Sequence, residues 1–210
     1  MEMHFKKAEK IISELNMRIK KPVITGLSVE YTECGYKKDN TLPNVTEEWS
    51  VYKKGGRLGG YNKHFWLHTS FKTGLCPKDS ELRFSLSTSY SGAFNSSRNP
   101  QSILYVNGKL VQGLDLNHIE YDLEPETDYD IYIYLYTGLY DAYYDLDLGV
   151  VAVNKVVEKL YYDMLVPFES ADCYDEGSYE RNETIKHLSI AANMLDLSVY
   201  DDERFFDSAK

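Results

Sequence analysis

Asp115, Asn117 and His118 bring a carboxylate, an amide and an imidazole into one short segment, with Gln112 just ahead and the Asn107-Gly108 pair before that. Such groups donate to and accept from hydroxyls, so the cluster can hold a polyol or lean on a neighbouring domain. A plain surface turn needs only about two or three polar or permissive residues. The segment from Gln112 to His118 exceeds that, and Asn107, Gln112, Asp115, Asn117 and His118 are the expected docking or sugar-contact residues. A second candidate is the row Tyr132, Tyr134 and Tyr136, which alternates with Ile131, Ile133 and Leu135. Tyrosines in a row can stack on sugars, but more often form the outer face of a strand packed under another layer, and packing is the expectation here.

Other constellations carry less. His64 and His68 share one face of a strand at their spacing, yet no Cys or carboxylate two residues on from either supplies a third ligand, so they read as packing and surface residues. Asp141, Asp145 and Asp147 lack the oxygen-ligand spacing of a calcium loop and are expected to be solvated. Gly55-Gly56 and Gly59-Gly60 flank Arg57-Leu58 in what reads as a flexible hairpin, since a phosphate cradle would need a following helix. Signatures for phosphate, dinucleotide, zinc-protease and serine-hydrolase chemistry do not occur. No catalytic residue and no metal ligand is nominated, and no cofactor is expected in this segment.

The 210 residues carry a net charge of −10, which leaves no electrostatic footprint for nucleic acid or an anionic membrane. Neither is an expected partner. Three widely spaced cysteines without a C-x-x-C fit a reducing compartment, and no run approaches the roughly 18 apolar residues of a membrane span. A cytoplasmic location follows as the expectation. With 43% hydrophobic residues the chain can bury a sizeable core.

The elements that must position these groups are mainly β. Phe5, Ala8, Ile12, Leu15 and Ile19 form one apolar stripe, so residues 1–21 are an amphipathic helix stopped by Lys21-Pro22 and docked on something later in the chain. From Val23 on, short β-branched and aromatic runs alternate with turn residues, and strands are expected at 24–32, 48–53, 64–71, 82–89, 102–106, 109–111, 119–123, 129–137, 146–154 and 156–164. Asn107-Gly108 is the type I′ turn of a hairpin. With no helical crossovers, these strands imply an antiparallel β-sandwich of the jelly-roll kind over 22–168. A helical stretch then runs over 169–210, with Ser178 as an N-cap and a stripe of Ile185, Leu188, Ala192 and Leu195. The adjacent Phe205 and Phe206 read as an exposed apolar end, as of a chain cut before a further domain.

Asn99-Pro100-Gln101, Leu104-Tyr105-Val106-Asn107-Gly108, Gln112-Gly113-Leu114-Asp115 and Asn117-His118 together resemble the N-terminal region of glycoside hydrolase family 38 α-mannosidases of the cytosolic or vacuolar bacterial and fungal type. Leu160-Tyr161-Tyr162-Asp163 and Leu195-Asp196-Leu197 extend the resemblance over roughly the whole chain. It implies an N-terminal helix, a galactose-binding-like β-sandwich and a helical linker towards a catalytic domain outside this chain, where zinc and an aspartate nucleophile would lie. The segment alone is then expected to be inactive. Its implied role is docking and assembly, with its own catalytic domain as partner and a homo-oligomer as the full-length form. The alternative is a carbohydrate-binding module that holds a mannoside near the active site.

Overall fold

The computed structural model describes residues 2–46, 48–90, 99–196 and 203–209. Leu197 of the motif match lies outside them, as does the side chain of Phe206. The chain divides into two compact units. One is helical, comprising residues 1–21, 77–81 and 152–210; the other is β, comprising 22–76 and 82–151.

The β unit is built from two antiparallel sheets, which makes it a sandwich. The six-stranded sheet has the order β3 (Ser50–Tyr52), β2 (Val29–Cys34), β5 (His64–Lys72), β10 (Asp128–Tyr136), β7 (Gln101–Val106) and β8 (Lys109–Leu114). The second sheet runs β1 (Lys20–Ile24), β11 (Tyr143–Asn154), β6 (Ser80–Tyr90) and β9 (Glu120–Leu123), with β4 (Leu58–Gly59) paired to β11. Strict alternation fixes which residues form the core: Leu82, Phe84 and Leu86 of β6, and Tyr129, Ile131, Ile133 and Leu135 of β10, are all buried. Asn107 and Gly108 both have positive φ, 49° and 81°, as the type I′ hairpin between β7 and β8 requires.

In the helical unit, α1 (Glu2–Ile19) packs on α2 (Lys155–Ala171) and α3 (Tyr179–Met194). Its stripe of Ala8, Ile12, Leu15 and Ile19 is buried, and Phe5 stacks on Phe168 at 4.4 Å between ring centroids. Ser178 does cap α3, its hydroxyl accepting from the Arg181 N–H at 3.2 Å. Among the described residues, no helix is long and apolar enough to cross a membrane.

Several expectations need correction. Residues 156–164 are helix, not strand: Asn154 caps the backbone N–H groups of Val156 and Val157 at 3.1 and 3.0 Å, and Val157, Met164 and Ala171 are buried two turns apart. The β-branched and aromatic texture of Val156, Val157, Tyr161 and Tyr162 is overridden by that cap and by packing. The strand expected at 24–32 is two strands, parted at Gly26, where φ is 66°. Phe205 is no exposed end, being only 2% accessible within α4 (Glu203–Ser208). Gly59 is not part of a flexible hairpin either, because a Cβ there would lie 2.1 Å from the Ala142 carbonyl oxygen; only glycine lets β4 approach β11 so closely. Nor is Asp145 merely solvated. It accepts from the Tyr52 hydroxyl at 2.6 Å and the Gly55 N–H at 3.2 Å, and burial together with this bond raises the Tyr52 pKa to about 12.

Candidate functional site

Register places the side chains of three strands in lateral rows. Tyr136, Tyr134 and Tyr132 of β10 sit opposite His64, Trp66 and His68 of β5, and on the other side opposite Gln101, Ile103 and Tyr105 of β7. Side-chain alternation puts all of these on the face of the sheet away from Ile131, Ile133 and Leu135.

The middle of this face is closed. Trp66, Tyr105 and Tyr134 form a buried cluster, flanked by Leu42 and Trp49 from the segment between β2 and β3. Lys37 of that segment lies over the Trp66 ring, 4.8 Å from its centroid, and donates from Nζ to the Thr41 carbonyl at 2.6 Å. The cation and the ring attract each other, and the chain is thereby pinned over the sheet.

One end of the face stays open as a cleft of about 750 Å³. Its aromatic wall is Tyr36, His64, Tyr134 and Tyr136; its floor and far side come from Gln101, Ser102 and Ile103 of β7 and Gly113 and Leu114 of β8; its rim carries Asn62, Asp115 and His118. His64 stacks on Tyr136, with centroids 4.7 Å apart and planes 18° apart, and meets Tyr36 edge-on at 5.9 Å. The Lys37 backbone N–H donates to the Tyr134 hydroxyl at 2.8 Å, and that hydroxyl lies 2.8 Å from His64 Nδ1. The phenol oxygen thus serves two partners at once, the Lys37 N–H and the His64 ring, and ties the wall to the segment after β2. Burial lowers the His64 pKa, so the ring is neutral at pH 7. Tyr136 donates to Asn62 Oδ1 at 3.1 Å. The wall is thus uncharged, aromatic and held in place by hydrogen bonds.

On the rim, Asp115 organises its own loop. Its Oδ1 accepts from the backbone N–H groups of Asn117 and His118, both at 2.8 Å, and lies 3.0 Å from His118 Nδ1. Those two backbone hydrogen bonds stabilise the ionised form and lower its pKa.

The structure therefore brings together two features that lie far apart in sequence. Tyr134 and Tyr136 of the tyrosine row meet Asp115 and His118 of the polar loop. Other candidates stand elsewhere. Asn107 ties the hairpin to β10, its Oδ1 accepting from the Asp130 N–H at 2.8 Å. Gln112 belongs to β8 rather than to a loop and donates to the Glu120 carbonyl at 2.7 Å. Tyr132 packs on His68 at 4.5 Å, and Asn117 contributes its N–H to the loop rather than a side chain to the cleft. The sequence did not single out Tyr36 or Asn62, marked Gln101 only as part of a motif and not as a site residue, and left His64 as packing. Only the strand register could reveal them. Among the described residues, no cluster of three or more His, Cys, Asp or Glu side chains is placed to hold a metal.

In sequence, the chain matches no family model and no curated protein. Weak structural likenesses exist. A β-glucuronidase from an uncultured Clostridium species is similar at a TM-score of 0.38 and 11% identity, over 65% of this chain and 30% of that one. An acetyl xylan esterase from the rumen bacterium Butyrivibrio proteoclasticus gives 0.27 and 17%, over 60% and 32%. A GH31 α-xylosidase from Xanthomonas citri gives 0.28 and 15%, over 63% and 16%. The chain thus spans a third or less of the length of these proteins, two of which are glycoside hydrolases.

Proposed function

We propose that the β unit is a carbohydrate-binding accessory module of a glycoside hydrolase, and that the cleft beside His64 and Tyr136 is its sugar site. The observation that carries this reading is the meeting of a rigid aromatic wall with the convergent polar groups Asn62, Gln101, Asp115 and His118 around about 750 Å³. Sugar rings pair an apolar C–H face with a rim of hydroxyls, and such a cleft offers both partners within the usual size of a ligand site, about 300–1,000 Å³. The parent enzyme we infer is an α-mannosidase, on the strength of the Leu104 to Asn107-Gly108 and Gln112 to His118 motifs. The chain itself then has no hydrolytic role, and zinc and the nucleophile belong to a catalytic domain.

Calorimetric titration of the 210-residue chain with methyl α-D-mannopyranoside and short mannans tests this. Saturable heat is expected, and it should vanish in Tyr136→Ala while the circular dichroism is kept. Absence of heat from every sugar would overturn the reading.

Docking on the catalytic domain is a second reading, supported by the exposure of the His118 side chain, 73%, and of Leu110, 49%. It expects Leu110→Glu to leave the melting of this chain unchanged while separating it from the catalytic domain in a co-purification. An intact association would count against it.

A further inference from the structure

We propose that the cleft selects sugars by charge, accepting neutral and amino-substituted pyranosides and rejecting uronic acids, with Asp115 as the excluding group. This rests on the carbohydrate reading and adds the substrate class. Recognition of a sugar carboxylate calls for an arginine fork or a lysine, and among the described residues none lines the cleft. The nearest lysines in sequence are engaged elsewhere: Lys37 over Trp66, and Lys63 with Glu33 at 2.5 Å. His64 is kept neutral by burial. His118, even when protonated, is an ion-pair partner of Asp115 at 3.0 Å, and the two together sum to no positive charge.

What the cleft does present is electron-rich. The faces of Tyr36 and Tyr136 carry negative quadrupole density, which favours C–H groups and cations and repels anions. All three hydrogen bonds given to Asp115 fall on Oδ1. Oδ2 is therefore the atom left to accept from a sugar hydroxyl or ammonium. A uronate brought to the same place would set its carboxylate against that of Asp115, with no arginine or lysine among the described lining residues to offset the repulsion.

The test is an NMR titration of the whole chain at pH 7 and low salt with three ligands: methyl α-D-mannopyranoside, its C6-oxidised uronate, and D-mannosamine. The uronate is expected to bind at least about tenfold more weakly than the neutral glycoside, and the amino sugar at least as well. In Asp115→Asn, which keeps an Oδ1 acceptor for the loop, the discrimination should shrink. Raising the salt to about 0.5 M should shrink it in the wild type as well, which decides the matter should the variant not fold. Equal or tighter binding of the uronate overturns the charge selection and leaves the carbohydrate reading standing. If no ligand of the three binds, the carbohydrate reading falls, and the selection with it.

Discussion

His64 and His68 lie on the same strand and the same face, yet the structure gives them opposite surroundings. His68 lies between two carboxylates, with Nε2 at 2.7 Å from Asp130 and Nδ1 at 3.4 Å from Glu30. Among the described residues no carboxylate pairs with His64; it is stacked on tyrosines and hydrogen-bonded to a phenol. The difference comes from what the neighbouring strands place opposite. β2 and β10 bring Glu30 and Asp130 to His68 alongside Tyr132, whereas His64 meets Tyr134 and Tyr136 of β10 and Tyr36, which follows β2. An acidic setting ties a histidine into the surface. An aromatic, neutral setting that opens on a cleft leaves a wall for a ligand, and this is why a binding role is assigned to one end of the row only.

The largest effect should come from the residue between the two histidines. Trp66 is 6% exposed at the centre of the closed cluster, and Trp66→Ala should cost about 3–5 kcal/mol in chemical denaturation, the range for truncating a buried aromatic. Tyr134→Phe should cost less, about 1–3 kcal/mol, because it strands the Lys37 N–H and the His64 Nδ1 without their hydroxyl. A loss confined to sugar binding, with stability unchanged, would show that the hydroxyl is not structural. His68→Gln removes a partly exposed contact with Asp130 and should cost under about 1 kcal/mol. Equal costs for Trp66→Ala and His68→Gln would erase the distinction between the two regions.

A pH series sharpens the same contrast. Because burial lowers the folded-state pKa of His64 below the ordinary value of 6.5, the unfolded chain takes up its proton first as the pH falls. The stability associated with the neutral ring is present above pH 6.5 and is lost as the pH drops below it. Wild type should therefore lose melting temperature faster than His64→Gln on acidification. Parallel slopes would show that the ring titrates alike in both states.

Much of the fold was legible because burial enforces period-two alternation: β6 and β10 read correctly from Leu82-Phe84-Leu86 and Tyr129 to Leu135. The amphipathic stripe of α1 and the Ser178 cap were equally visible. The start of α2 was hidden, since Val156-Val157 and Tyr161-Tyr162 have strand-like texture and only the Asn154 cap and tertiary packing decide for helix. The site was half legible. Polar excess marked Asp115 and His118, and repetition marked Tyr134 and Tyr136. Tyr36 and Asn62 carry no local signal and Gln101 stood only in a motif, because they reach the cleft through the pairing of β2, β5, β10 and β7. Gln112 was misplaced for a different reason. The register shift after Leu104 lets β8 extend to Leu114, so a segment that reads as loop continues as strand.

The chain has five histidines, and two of them report on the two ends of one face. Sugar binding at the His64 end is therefore tested by following the imidazole C–H resonances of His64 and His68 while methyl α-D-mannopyranoside is added. His64 should show a saturable shift, removed by Tyr136→Ala, with His68 unmoved. A His64 signal that stays fixed at saturating sugar, or one that moves only in step with His68, would contradict binding there.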